Sequence, residues 1–265
     1  MPSIILPGRW TRQPANPCSV DVSNPFGAIC EYATGAGGIF NVNQARNQVL
    51  GVTFPLGNVE RKAFRDGIAL SCANNVHARI PVGQDWEANG TVVFVARINS
   101  VDNPWGGIFS KLQSGTSAQV SMGRNNNSAY LYLEHGSSTD ITGPNIAIPT
   151  GSVAVHAMSW TTGSNAVSKY YLNGAYQAST TAISAGTPTG TGDLLLGSAR
   201  DASTAYDSDV DFFLFAKFAG VLSDSAIAEL SKNPWQIFRK SPGRIYFLPS
   251  AAGGAITGSG TPAAQ

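Results

Sequence analysis

The sequence predicts an all-β protein, an antiparallel sandwich of two sheets with one short helix near its C-terminal end. Three observations predict it. Short runs rich in Val, Ile, Phe and Tyr recur between clusters of Gly, Asn and Ser, the regular strand-and-turn rhythm of a sandwich. Of 265 residues, 43% are hydrophobic and only 12% charged. An ordinary globular chain has about 25% charged residues, so Ser, Thr, Asn and Gly must cover much of the surface here, as they do where many strands are joined by many turns. Finally, Asn173-Gly174 lies between two apolar runs, and this pair favours a tight hairpin because both residues tolerate positive φ.

Along the chain, residues 1–27 contain Pro2, Pro7, Pro14, Pro17 and Pro25, a density that excludes helix and predicts an extended arm lying on its own domain or on a neighbour. Residues 28–248 are assigned to the sandwich. Gly67–Cys72 and Ala78–Val82 read as strands separated by the turn-prone Asn74-Asn75. The run Thr91–Ile98 is apolar on both faces, which predicts a central strand covered on both sides. Gly106–Leu112, Ala118–Met122 and Ala129–Leu133 follow, the last two joined by a hairpin over Gly123–Ser128. Ser152–Trp160, Ser168–Leu172, Ala175–Gln177, Asp193–Gly197 and Val210–Phe218 complete the strands. The helix starts after Ser223, with Asp224 at the positive end of its dipole and Ile227 and Leu230 on its apolar face, and Asn233-Pro234 ends it. Ile245–Leu248 reads as an added strand, and residues 249–265, rich in Gly and Ala, as a tail with little to bury.

The totals exclude several functions. A net charge of +1 supplies no field that would draw the chain to nucleic acid or an anionic membrane. The one basic cluster, Arg239, Lys240 and Arg244, reads as a solvated loop beside Pro242. Cys18, Cys30 and Cys72 cannot all pair within one chain and lack CxxC spacing, so they read as buried or incidental thiols. No apolar stretch approaches the ~20 residues of a membrane helix. The N-terminus has no basic region before its short apolar run, so a soluble product made without Sec export is expected.

The order of segments resembles the laminin-G-like domains of the concanavalin A-like lectin and glucanase superfamily. The residues that carry the likeness are Gly106-Gly107-Ile108-Phe109-Ser110-Lys111, Val153 to Trp160, Tyr171-Leu172-Asn173-Gly174, Leu194-Leu195-Leu196-Gly197, and Asp211 to Leu222-Ser223. The ending, Leu222-Ser223 through Asn233-Pro234-Trp235-Gln236-Ile237-Phe238, is similar to that of many such proteins encoded by tailed bacteriophages. So is the opening, Pro7-Gly8-Arg9-Trp10 through Asn24-Pro25. The resemblance implies a jelly-roll topology and a non-enzymatic, virion-associated component of head or tail, made in the host cytoplasm. Its partners would be other virion proteins, copies of itself and a cell-surface glycan.

Glycosidases of this superfamily carry Glu-x-Asp-x-x-Glu on one strand, to set a proton donor against a nucleophile. The nearest match here is Asp207-Ser208-Asp209-Val210-Asp211. Its alternate acids share a face if the segment is extended, about 7 Å between successive members. Three readings stay open: a polar strand entry, a calcium site of Asp207, Asp209 and Asp211, or a catalytic pair. The first is favoured, because Glu is absent. His77, His135 and His156 show no HxH or HExxH spacing, and there is no GxSxG. Sugar binding would fall to the loops Asp102–Gly107 and Gly123–Ser128 at one rim, with Asp102, Asn103 and Asn125 as polar contacts. Trp105 would serve there as a stacking platform, or alternatively as an anchor for its own loop. Trp86 allows the same two readings.

Overall fold

The computed structural model describes residues 12–14, 18–35, 41–43, 48–50, 59–73, 76–80, 86, 89–103, 105–114, 117–124, 130–135, 146–163, 166–181, 192–199 and 206–239. The expected strand Ile245–Leu248 and the tail lie outside these residues.

The protein is an antiparallel jelly-roll sandwich. In chain order its strands are β1 (Ser19–Val20), β2 (Cys30–Gly35), β3 (Asn41–Asn43), β4 (Gln48–Leu50), β5 (Glu60–Phe64), β6 (Gly67–Cys72), β7 (Ala78–Ile80), β8 (Gly90–Ser100) and β9 (Gly107–Ser114). These are followed by β10 (Ser117–Arg124), β11 (Leu131–His135), β12 (Val153–Thr161), β13 (Val167–Leu172), β14 (Ala175–Thr180), β15 (Leu194–Leu196), β16 (Asp209–Ala219) and β17 (Phe238–Arg239). Among the described residues, one sheet has the order β11-β10-β9-β15-β7 and the larger one β14-β13-β12-β8-β16-β2-β3-β4. Strand β16 pairs along its length with β8 and shares its other edge between β6, near Asp211, and β2, near Ala216.

Strand β8 is central, as its two-faced apolar run predicts. Val92, Phe94, Ala96 and Ile98 point into the core between the sheets, together with Ile108, Met122, Leu133 and Leu196. Val93 and Val95 point the other way, into a second core that is roofed by elements from both ends of the chain. That roof includes helix α2 (Asp224–Lys232), a 3-10 turn over Pro234–Ile237 and the β1–β17 ladder. Ser223 caps α2 through its hydroxyl, Ile227 and Leu230 are buried beneath it, and Asn233-Pro234 ends it. Tyr171 of β13 donates to Asp224 at 2.7 Å, pinning the first turn to the sheet.

A register shift in β16 between Phe212 and Leu214 changes which residues face which core. Val210 and Phe212 lie between the sheets, Phe213 and Leu214 both face the roof, and Phe215 turns back inward. A bulge of this kind re-aims every side chain beyond it. At the hairpin between β13 and β14, Asn173 has φ 50° and Gly174 φ 81°, the left-handed pair that Asn-Gly supplies without strain.

The N-terminal region corrects one expectation. Despite its proline density it contains a four-residue helix, α1 (Pro25–Ala28). Asn24 caps it, its Oδ1 accepting from the Phe26 and Gly27 amides, and Pro25 takes the first helical position, where no amide hydrogen is needed. The segment packs on its own domain: β1 pairs with β17, and Gln13 exchanges hydrogen bonds with the Ile68 backbone. Cys18, Cys30 and Cys72 are buried free thiols, and burial pushes each up to about 12, so they behave as small apolar side chains.

His156 is fully buried, stacked on Phe94 at 4.9 Å and hydrogen-bonded to the Tyr170 hydroxyl at 2.9 Å. Burial holds its pKa down to about 4. The unfolded chain therefore takes up a proton near pH 6.5 that the folded chain refuses, and stability falls as pH drops from about 6.5 to about 4. His156 accounts for about 3 kcal/mol of that loss. Urea midpoints of the native protein and of His156→Phe, measured between pH 7.5 and 4, should show the native protein losing stability relative to the variant as pH falls, and parallel curves would refute the assignment.

Candidate functional site

The polar residues of the sandwich converge at the end of the molecule where β8 finishes, β10 finishes and the chain enters β12. Strand alternation places Arg97 and Asn99 of β8 on the same face as Asp209 and Asp211 of β16, with Arg97 directly opposite Asp211. Arg97 donates to Asp211 Oδ2 from Nη2 at 2.7 Å and from Nε at 3.1 Å. Its guanidinium also lies 4.4 Å from the centre of the Phe64 ring, a cation–π contact that fixes the plane of the fork. Asn99 Nδ2 donates to Asp209 Oδ1 at 3.0 Å and to Asp211 Oδ2 at 2.9 Å. Asp211 is buried, and its Oδ2 accepts all three of these bonds.

Asp207 is not part of this group. It is buried, with Oδ1 3.1 Å from His77 Nδ1, and its backbone oxygen accepts from Asn103 Nδ2 at 2.9 Å. The three aspartates thus separate into a pair that shares Asn99 and a single residue that faces His77. The positive charge beside Asp211 is the Arg97 side chain, so the arrangement does not fit a calcium ion held by all three. Among the described residues, no three His, Cys, Asp or Glu side chains are placed to hold a metal ion.

Next to the network is an open cavity of about 360 Å³, lined by Asn99, Ser100, Val101, Asp102, Arg124, Ile148 and Thr150. Arg124 builds its wall: Nη1 donates to the carbonyls of Val101 and Asp102 at 2.7 and 2.6 Å, and its backbone amide donates to Gly106 O at 2.8 Å. The two rim loops expected to lie together are tied to each other by these bonds. Asp102 itself is exposed.

Trp105, of the same loop, has φ 60° and meets Tyr132 edge-on at 6.1 Å; it does not line the cavity. Asn103 holds the loop to Asp207. Asn125 lies outside the described residues. Trp86 is not a platform: it is buried between Trp160 and Phe215, at 5.7 and 6.3 Å. Arg97, Asn99, Arg124 and Thr150 were not singled out by the sequence. The signal for the first two was available, since a polar pair at i and i+2 interrupts the apolar alternation at the end of β8.

No known family model matches the sequence, and no curated protein matches it. Solved structures do share its architecture. Domain 4 of AbnA, a GH43 extracellular arabinanase from Geobacillus stearothermophilus solved with arabinotriose, superposes with a TM-score of 0.50 at 19% identity, over 66% of this chain and 82% of that one. The receptor-binding domain of botulinum neurotoxin type G gives 0.52 at 15% identity, over 77% of this chain and 51% of that one. Trypanosoma rangeli sialidase gives 0.50 at 14% identity, over 66% of this chain and 29% of the enzyme. These structures share a β-sandwich fold with this chain. At such identities the likeness concerns the fold, and fold alone leaves activity open.

Proposed function

We propose that the protein is a non-enzymatic attachment module, a virion component of a tailed bacteriophage that docks on neighbouring virion proteins and binds glycan at its rim. The observation that carries the binding role is the open polar cavity beside Asn99, Asp102 and Arg124. The carboxylates that a hydrolase of this fold would use are engaged elsewhere, Asp211 by Arg97 and Asn99 and Asp207 by His77. A proton donor facing a nucleophile needs both groups turned toward the substrate. The arabinotriose-bearing arabinanase domain and the toxin receptor-binding domain support a binding role for this type of sandwich. The phage assignment rests on the chain's opening and on its Leu222–Phe238 ending, which is built here into the roof of the second core. Self-association and docking on capsid or tail proteins belong to the same reading, without nucleic acid or membrane as partner.

A second reading, a carbohydrate-binding adhesion module that works outside a particle, draws on the same cavity. Cryo-electron microscopy of the source particle separates the two. The chain is expected at stoichiometric, symmetry-related positions in contact with other virion proteins. Its absence from purified particles would overturn the virion assignment and leave the adhesion module.

A further inference from the structure

We infer that the rim cavity is a subsite for one neutral sugar unit, recognised through its hydroxyl groups and without a metal ion; this deepens the glycan-binding part of the proposed function and rests on it. The ligand class follows from what the lining can still offer. Both amide hydrogens of Asn99 are committed, one to Asp209 Oδ1 and one to Asp211 Oδ2. Two carboxylate partners dictate which way the amide is turned, because a carboxylate can only accept. Asn99, one of the residues lining the cavity, therefore has no donor left, only its acceptor Oδ1. Asp102 adds an exposed carboxylate, again an acceptor, and Thr150 an exposed hydroxyl. Arg124 Nη1 is spent on the Val101 and Asp102 carbonyls, so it holds the loop.

The Asp102 carboxylate together with Ser100 and Thr150 suits a ligand rich in hydroxyl groups, which both donate and accept. A carboxylate accepting from hydroxyls makes the stronger, charge-assisted kind of bond. The charges of the lining itself, Asp102 and Arg124, balance, and in the adjoining network Asp209 and Asp211 outnumber Arg97, so no net positive field favours an acidic ligand. Burying a ligand carboxylate beside Asp102 would cost affinity through like-charge repulsion. Val101 and Ile148 complete the lining with apolar surface for the C–H face of a ring. The volume of about 360 Å³ lies near the small end of the about 300–1,000 Å³ typical of ligand pockets, which sets the ligand at a single sugar unit.

The test uses the full chain on an array of neutral polysaccharides (mannan, galactan, arabinan) and carboxylated ones (polygalacturonate, polysialate), read with and without EDTA. Binding to at least one neutral polymer is expected, weakened about tenfold or more by Asp102→Ala, which removes a charge-assisted acceptor, and also weakened by Thr150→Val. Both residues are exposed, so the variants fold. Neutral binding untouched by either variant would overturn the cavity assignment while leaving glycan binding in place. Retention of carboxylated polymers alone would overturn the ligand class, and binding abolished by EDTA would overturn the metal-free site. A chain present in particles that binds no polymer on the array would remove the glycan role altogether and leave only docking.

Discussion

Replacing Trp160 with alanine is expected to lower the free energy of unfolding by about 3–5 kcal/mol, the range for a fully buried large aromatic. Trp160 is the last ring of an aromatic column between the sheets. It stacks on Trp86 at 5.7 Å with an interplanar angle of 16°, Trp86 on Phe215 at 6.3 Å, and Phe215 on Phe94 at 5.9 Å. Across the ladder from Trp160 is Gly90, where a Cβ would run into the indole ring; the absent side chain makes room for the tryptophan. Truncation leaves a void against a backbone that cannot collapse, because β8 is paired on both sides, with β12 and β16. A cavity that does not refill incurs the full loss of contact as well as the transfer term. Urea titration followed by far-ultraviolet circular dichroism should show a lower midpoint at an unchanged slope. Trp160→Phe should recover more than half of the loss. A Trp160→Ala unfolding free energy within about 1 kcal/mol of native would mean that the column carries little of the stability.

The same column shows where sequence reading ends. Trp160 sits in a run of β-branched and apolar residues and is legible as core. Trp86 lies between Asp85 and Glu87, where local pattern suggests a surface; only the closure of the sandwich over it makes it the middle of a stack. Helix α2 and the Asn173-Gly174 hairpin were legible because their signals are local: a cap, a dipole, a stop, a positive-φ pair. Helix α1 was hidden because Pro25 was read for what proline forbids, when Asn24-Pro25 is also a capping residue followed by the residue favoured at the first helical position. Strands β2 to β5 escaped for a different reason. Glu60–Phe64 is almost wholly exposed, and its place in the sheet comes from pairing with β6, a neighbour chosen by geometry. At the rim, the grouping of Asp102 with the β10 hairpin was legible from topology. The separation of Asp207 from Asp209 and Asp211 was not, because it depends on how the chain enters β16 after the Ser198–Asp207 bridge.

Arg97→Ala is expected to destabilise the protein by about 2–3 kcal/mol and to loosen the rim without unfolding it. The ion pair joins unequal partners: Asp211 is 1% exposed and Arg97 31%. Removing one partner of a buried pair costs about 3–5 kcal/mol, because the other charge is left without compensation; the partial exposure of Arg97 reduces this, since water already screens that side of the contact. Asn99 remains on Asp211, but a neutral amide cannot replace a guanidinium fork. The consequence extends beyond stability. With Arg97 gone, the Asp211 oxygen that accepted two of its bonds keeps only the Asn99 amide, and the network that fixes the Asn99 side chain between Asp209 and Asp211 loses its cation. Arg97→Lys keeps the charge but loses the paired Nε and Nη2 bonds to Asp211 Oδ2 and the planar contact with Phe64, and is expected to fall between native and Arg97→Ala. A double-mutant cycle of Arg97→Ala with Asp211→Asn isolates the pair: a coupling energy of at least about 1 kcal/mol is expected for charges in contact. A coupling near zero would mean that Arg97 stabilises the rim through its packing on Phe64 and not through Asp211.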